Sequence, residues 1–211
     1  MTRVYFVSHA QPEHDWEEDR TRPLTEEGKK DSAIVLEFLK DKKIDAFYCS
    51  PYKRSMDTIT EAADFFTKEI ITDERLRERE KGLDGNNHGM FRKRWADHNY
   101  HEEGGESIAM VQKRNIEALN EILSDNTDKD IVIGTHGTAL STILNFYDSN
   151  FGCEDFLRII DWMPYIIELD FESNCNEMES ECPIYSFKLF AKQEHCYIEK
   201  EFKGKQRADK K

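Results

Sequence analysis

The stretch Val4-Tyr5-Phe6-Val7-Ser8-His9-Ala10 decides the fold. Four apolar residues, two of them β-branched and two aromatic, read as a strand buried on both faces, and the run stops at a serine and a histidine. A side chain just past the end of such a strand sits where open α/β sheets take their ligands. A second stretch repeats the pattern far along the chain: Ile131-Val132-Ile133-Gly134-Thr135 leads into His136. Two strand-end histidines can converge on one pocket, and an imidazole can act there as nucleophile or acid–base group near neutral pH.

Between and beyond these strands the pattern alternates. Thr25 has the look of an N-cap, with Glu26 and Glu27 in the first turn of a helix whose Ile34, Val35, Phe38 and Leu39 face the sheet. A strand around Ala46-Phe47-Tyr48-Cys49 ends at Ser50-Pro51, and a helix through Arg54, Ile59, Ala62 and Phe66 follows. Residues 69–72 read as a third strand. Residues 73–105 are irregular and charged, with one short helix around Met90, Phe91 and Trp95; so long a stretch in a compact domain is usually functional. Residues 107–123 form an amphipathic helix, and further helices follow the His136 strand, through residues 140–146 and at 154–160. Strands within 162–171 and 184–190 are close enough in sequence to pair antiparallel.

The expected fold is therefore α/β, a three-layer sandwich. Its central sheet is mainly parallel, with helices on both faces and one antiparallel strand. Residues 1–203 form a single domain in this reading, with 172–183 an acidic loop and 204–211 a polar tail.

Composition narrows the function. The 211 residues carry 35% charged and 38% hydrophobic side chains and a formal net charge of −13. That balance argues against a nucleic-acid binder and against attraction to an anionic membrane. No apolar run approaches the roughly 20 residues of a membrane span, and the short first apolar run reads as a strand rather than a signal peptide. Five cysteines (Cys49, Cys153, Cys175, Cys182 and Cys196) show no zinc-ligand spacing and favour reduced thiols in a cytoplasmic protein. No metal and no cofactor are expected. His14, His88, His98 and His101 read as ordinary polar residues.

Laid side by side, the strand ends offer His9, then Ser50-Pro51 with Arg54 one turn on, then Thr135-His136-Gly137. The irregular stretch adds Arg75-Leu76-Arg77-Glu78-Arg79-Glu80. Two imidazoles, an arginine and a carboxyl group suit phosphoryl transfer through a phosphohistidine. One ring attacks phosphorus, the other holds its oxygens with arginine, and the acid protonates the leaving oxygen.

At this point the chain resembles the histidine phosphatase superfamily, the phosphoglycerate mutase-like phosphatases and mutases. That family opens with a strand ending in Arg-His-Gly or Arg-His-Ala, matched here by Ser8-His9-Ala10. Its Ser-Pro and following Arg are Ser50-Pro51 and Arg54. Its Leu-x-Glu with a later Gly is Leu76-Arg77-Glu78 with Gly82. Its Gly-Gly-Glu-Ser is Gly104-Gly105-Glu106-Ser107, and its late His-Gly is His136-Gly137; Arg22-Pro23-Leu24-Thr25 with Gly28 also recurs. The resemblance implies His9 as the phosphorylated nucleophile, Glu78 as proton donor with Glu80 as its rival, and Arg54 and His136 as ligands of the phosphoryl oxygens. It extends the substrate-binding set to Ser8, Arg22, Arg92, Thr135 and Gly137, the last three flanking or covering the pocket.

Ser8 departs from the pattern. An arginine there would present a charged fork to phosphate, and serine offers one short neutral donor. Loss of one such donor costs on the order of 100- to 1000-fold in rate. Three readings compete: an introduced change in an active enzyme, a weakened enzyme in which Arg20, Arg22 or Arg92 compensates, or a phosphate-binding pseudoenzyme. A phosphatase acting on a small phosphorylated substrate or a phosphoprotein is preferred, with a mutase and a non-catalytic binder as alternatives. The natural substrate and the oligomeric state stay open at this stage.

Overall fold

In the computed structural model the apolar run becomes strand β1 (Thr2–Ser8), the middle of one seven-stranded sheet. The structure describes residues 1–83, 85, 87–171, 184–193 and 196–202, and beyond residue 171 only the side chains of 188–190. The sheet also holds β2 (Ala46–Cys49), β3 (Ile70–Thr72), β4 (Asp130–Thr135), β5 (Tyr165–Phe171), β6 (Ile184–Gln193) and β7 (Cys196–Phe202), in the order β3-β2-β4-β1-β5-β6-β7. Strands β3, β2, β4 and β1 are parallel, while β5, β6 and β7 each run antiparallel to the strand before them. The α/β layers are those expected; the antiparallel part is larger than the one strand expected. Strand β7 has no counterpart in the sequence reading, because Glu199-Lys200-Glu201 gives it a charged pattern typical of a sheet edge. The expected acidic loop 172–183, the tail 204–211, Cys175 and Cys182 lie outside the described residues.

Strand β1 is apolar throughout because both of its faces are covered. Val4 and Phe6 join a core cluster with Ile131, Ile133, Leu119, Leu140, Phe156 and Ile167, under α4 (Ile108–Asp125), α5 (Gly137–Tyr147) and α6 (Cys153–Ile159). Tyr5 and Val7 join the other cluster, with Val35, Leu39 and Ile59 from α1 (Glu26–Leu39) and α2 (Lys53–Phe65). The short α3 (His88–Ala96) reaches the first cluster through Trp95. Two helix starts are closed as their sequences dictate: Thr25 Oγ1 accepts from Gly28 N at 2.9 Å, and Ser107 Oγ from Met110 N at 3.2 Å.

This arrangement places His9, Ser50 and His136 together. Strand β4 lies between β2 and β1, so the three parallel strands end side by side and each hands its next residue to the same edge. The helices before β3 cover one face and those after it cover the other, so the edge is a switch point of the sheet.

Candidate active site

His9 leaves β1 with its ring beside that of His136, the centroids 5.3 Å apart and the planes at 64°. Its Nδ1 lies 2.8 Å from the Ala10 carbonyl oxygen. A carbonyl can only accept, so Nδ1 carries the proton and the lone pair sits on Nε2. Ala10 is itself fixed: its N–H donates to Thr58 Oγ1 at 2.9 Å, and that hydroxyl donates to the Arg54 carbonyl at 2.7 Å. Burial, aided by the Arg54 guanidinium, pushes the His9 imidazole down to about 3, so the ring is neutral at physiological pH.

His136 caps α5 and is fully buried. Its Nε2 lies 2.7 Å from Ser50 Oγ, which also accepts the Tyr52 N–H at 3.3 Å. A hydroxyl can accept twice as well as donate, so this contact admits either tautomer; in the one where the serine proton points to His136 Nε2, the ring proton falls on Nδ1. Nδ1 has no partner among the described residues. In that tautomer it is a buried donor that an anion could complete. Burial, Arg54 and His9 hold this imidazole well below its ordinary value.

Arg54 projects from the first turn of α2 and is buried against the Tyr52 ring, 5.0 Å from its centroid. One guanidinium nitrogen donates to the Asp19 carbonyl at 2.7 Å and to the Asp19 carboxylate at 3.2 Å. The same carboxylate pairs with Arg22 at 2.9 Å. The loop that carries Asp19 and Arg22 is pinned at its base, where Glu13 N donates to Pro23 O at 2.9 Å, and at its tip, where Lys53 N donates to Arg20 O at 2.8 Å. Arg22 Nε is buried with no hydrogen-bond partner among the described residues, and the residue's charge lowers the His9 pKa along with that of Arg54. A neutral imidazole therefore lies in the field of two cations.

Glu78 sits at the start of α5. Its carboxylate accepts from the backbone of Thr138 at 3.1 Å, Ala139 at 3.2 Å and Arg79 at 2.7 Å. It lies close enough to Arg54 to support that residue's charge. Glu80, its rival from the sequence, is exposed. The segment is held from behind by Arg114, which donates to the carbonyls of Arg75, Arg77 and Glu78 at 2.7, 2.8 and 3.1 Å and pairs with Glu106 at 2.8 Å. Glu106 also accepts from Glu80 N and Arg77. The Gly-Gly-Glu-Ser motif thus anchors the Glu78 loop as well as starting α4. Gly105 has to be glycine, since a Cβ there would lie 2.8 Å from Gly82 N.

The remaining expected residues divide. Thr135 and Ser8 are buried beside the histidines, and Gly137 opens α5. Arg92 lies on the surface of α3 in an exposed ion pair with Glu154 at 2.9 Å, and no hydrogen bond or ion pair joins it to His9, Arg54, Glu78 or His136. Asp19, Thr58 and Arg114 escaped the sequence reading, because what marks them is a contact made across loops. Among the described residues no group of three or more His, Cys, Asp or Glu side chains has metal-holding geometry, and no helix is long and apolar enough to cross a membrane.

A family model described as the histidine phosphatase superfamily, branch 1, matches residues 4–160. A phosphoserine phosphatase 1 from Hydrogenobacter thermophilus is 28% identical over 154 residues, 64% of this chain and 71% of that protein. A 2,3-bisphosphoglycerate-dependent phosphoglycerate mutase from Thermoplasma acidophilum is 44% identical over 55 residues, 26% of this chain and 28% of that protein. Among solved structures, a phosphoserine phosphatase from Entamoeba histolytica in complex with 3-phosphoglyceric acid is similar with a TM-score of 0.71 at 22% identity, covering 92% of this chain and 99% of that one. A mycobacterial glucosyl-3-phosphoglycerate phosphatase has a TM-score of 0.65 at 18% identity, covering 81% and 92%. At these identities the structural likeness shows the fold.

Proposed function

Because the chain belongs to the histidine phosphatase superfamily, we propose that it hydrolyses small phosphate monoesters through a phosphohistidine at His9. The observation that carries the reading is the bond from His9 Nδ1 to the Ala10 carbonyl, which leaves Nε2 as a lone pair with no proton to lose. In the first step Nε2 attacks phosphorus, the bond from phosphorus to the ester oxygen breaks, and Glu78 gives that oxygen a proton. The positive charge that grows on the ring is met by the Ala10 carbonyl at Nδ1. In the second step water attacks the phosphohistidine, Glu78 takes the water's proton, and His9 leaves neutral. Arg54, Arg22 and the Nδ1 donor of His136 hold the phosphoryl oxygens and stabilise the charge they gain. No step calls for a metal.

Phosphorylated hydroxy acids and amino acids, the kind named for several relatives, are the first substrates to try. A phosphatase is favoured over a mutase because the named mutase matches only 28% of its own length. Ser8 supports a second reading, a phosphate binder that does not turn over: it is a buried neutral residue at the place where the family carries a charged arginine.

Hydrolysis of 4-nitrophenyl phosphate and phosphoserine, with EDTA present, separates these. Turnover that His9→Ala abolishes supports the phosphatase. Phosphate binding without turnover in both the parent and Ser8→Arg supports the binder. Turnover that appears only in Ser8→Arg identifies Ser8 as the disabling residue.

A further inference from the structure

Ser8 is flanked on both sides by hydroxyl-bearing residues in the same row of the sheet. Its parallel partner on β4 is Thr135 and its antiparallel partner on β5 is Tyr165. Side chains paired across adjacent strands share a face, so the three side chains stand in one row, with Ser8 and Thr135 each one residue from a site histidine. Tyr165 is 0% exposed, and its hydroxyl makes no close hydrogen bond among the described residues. The same is true of Thr135 Oγ1 and of His136 Nδ1. The Tyr165 hydroxyl has Ser8 as a side-chain hydrogen-bonding neighbour and lies in the field of the Glu78 carboxylate. Three unsatisfied buried polar groups at one strand end are costly unless something completes them.

We propose that Tyr165 is a phosphoryl-binding residue, its hydroxyl donating to an oxygen of the transferred group from the side of the site where Ser8 leaves room. This rests on the reading of His9 and Arg54 as a phosphoryl site. A serine hydroxyl stays close to its own backbone, whereas a tyrosine hydroxyl lies a full ring away from its Cα. The large residue on β5 therefore reaches where the short one on β1 cannot. Burial raises the phenol's pKa, so it keeps its proton and stays a donor at working pH. Three neutral or singly protonated donors from one end of the sheet would then complement the two arginines opposite.

Tyr165→Phe tests this, because it removes one oxygen and keeps the ring. For a tyrosine that serves only the core, deleting an unsatisfied buried hydroxyl leaves stability unchanged or raised and leaves activity within twofold. For a phosphoryl ligand, the melting temperature again holds or rises, but kcat/KM toward 4-nitrophenyl phosphate falls about 10- to 100-fold. The dissociation constant for inorganic phosphate, measured by calorimetry, rises by a comparable factor. Activity and phosphate affinity both within twofold of the parent would overturn the proposal. Phosphate affinity is read independently of turnover, so a parent that fails to turn over defeats the phosphatase reading while Tyr165 is still judged. A parent that binds no phosphate defeats both.

Discussion

Asp19 holds Arg54 through two acceptors at once, its backbone carbonyl at 2.7 Å and its carboxylate at 3.2 Å, and the same carboxylate holds Arg22 at 2.9 Å. The carbonyl contact positions Arg54. The carboxylate places a negative charge between the two cations that a phosphate dianion would use. Asp19→Asn keeps the shape and removes that charge, so inorganic phosphate should inhibit about 3- to 10-fold more tightly, as expected from losing one nearby like charge in a partly buried site. The measurement is the competitive inhibition constant for phosphate at fixed ionic strength. Weaker inhibition would mean that the carboxylate positions the arginines instead of competing for them.

Ser50 Oγ and His136 Nε2 lie 2.7 Å apart and share one proton. We expect the serine to give its proton to Nε2, so that the ring keeps its own on Nδ1, where it can serve an oxyanion. Ser50→Ala lets the tautomer change, and kcat/KM should fall on the order of 10-fold. Nitrogen-15 shifts of the His136 ring report the tautomer directly. An unchanged Nδ1–H tautomer in the variant would remove Ser50 from the account.

The two histidines make the fold sensitive to acid. In the folded chain His9 titrates at about 3 and His136 also lies well below its ordinary value, whereas both bind protons near 6.5 when unfolded. The unfolded state therefore binds more protons between these limits. Stability is full above pH 6.5 and is lost as pH falls from there toward 3, by up to about 1.4 kcal/mol per pH unit for each histidine. Urea denaturation at pH 7 and pH 5 should show this, with a shallower slope in His136→Asn. Equal stability at both pH values would show that the rings take up protons in the native state.

Glu78 is tested by the leaving group. An acid matters most when the departing oxygen is a poor leaving group. Glu78→Gln should cost at least about 100-fold with phosphoserine and far less with 4-nitrophenyl phosphate, whose phenolate leaves unaided. Equal losses on the two substrates would assign Glu78 a positioning role at the start of α5, where three backbone N–H groups already hold it. The same pair of assays on Glu80→Gln decides between the rivals.

The parts of this site carried by single strand ends were legible in the sequence. An apolar run that stops at a histidine announces both the strand and the residue past it, and His9 and His136 meet because β1 and β4 are neighbours. Arg54 was legible because Ser50-Pro51 ends one strand and starts the next helix. What depends on pairing between distant segments was not. Nothing local to Tyr165 says that it sits opposite Ser8, since the register of an antiparallel strand is set by the whole sheet. Asp19 gave no signal because its role comes from loop closure, and Arg114 gave none because its partners are backbone carbonyls. Arg92, expected to cover the pocket from sequence order, is held by Glu154 on α6.

The central claim is that phosphate passes through His9. Mixing the protein with phosphoserine or 4-nitrophenyl phosphate, quenching in alkali to preserve a phosphorus–nitrogen bond, and mapping the peptides by mass spectrometry tests it most directly. The expected result is one phosphoryl group on the peptide that contains His9, formed no more slowly than turnover and absent from His9→Ala. Turnover that persists in His9→Ala, or that proceeds with no phosphoryl group on His9, would contradict it.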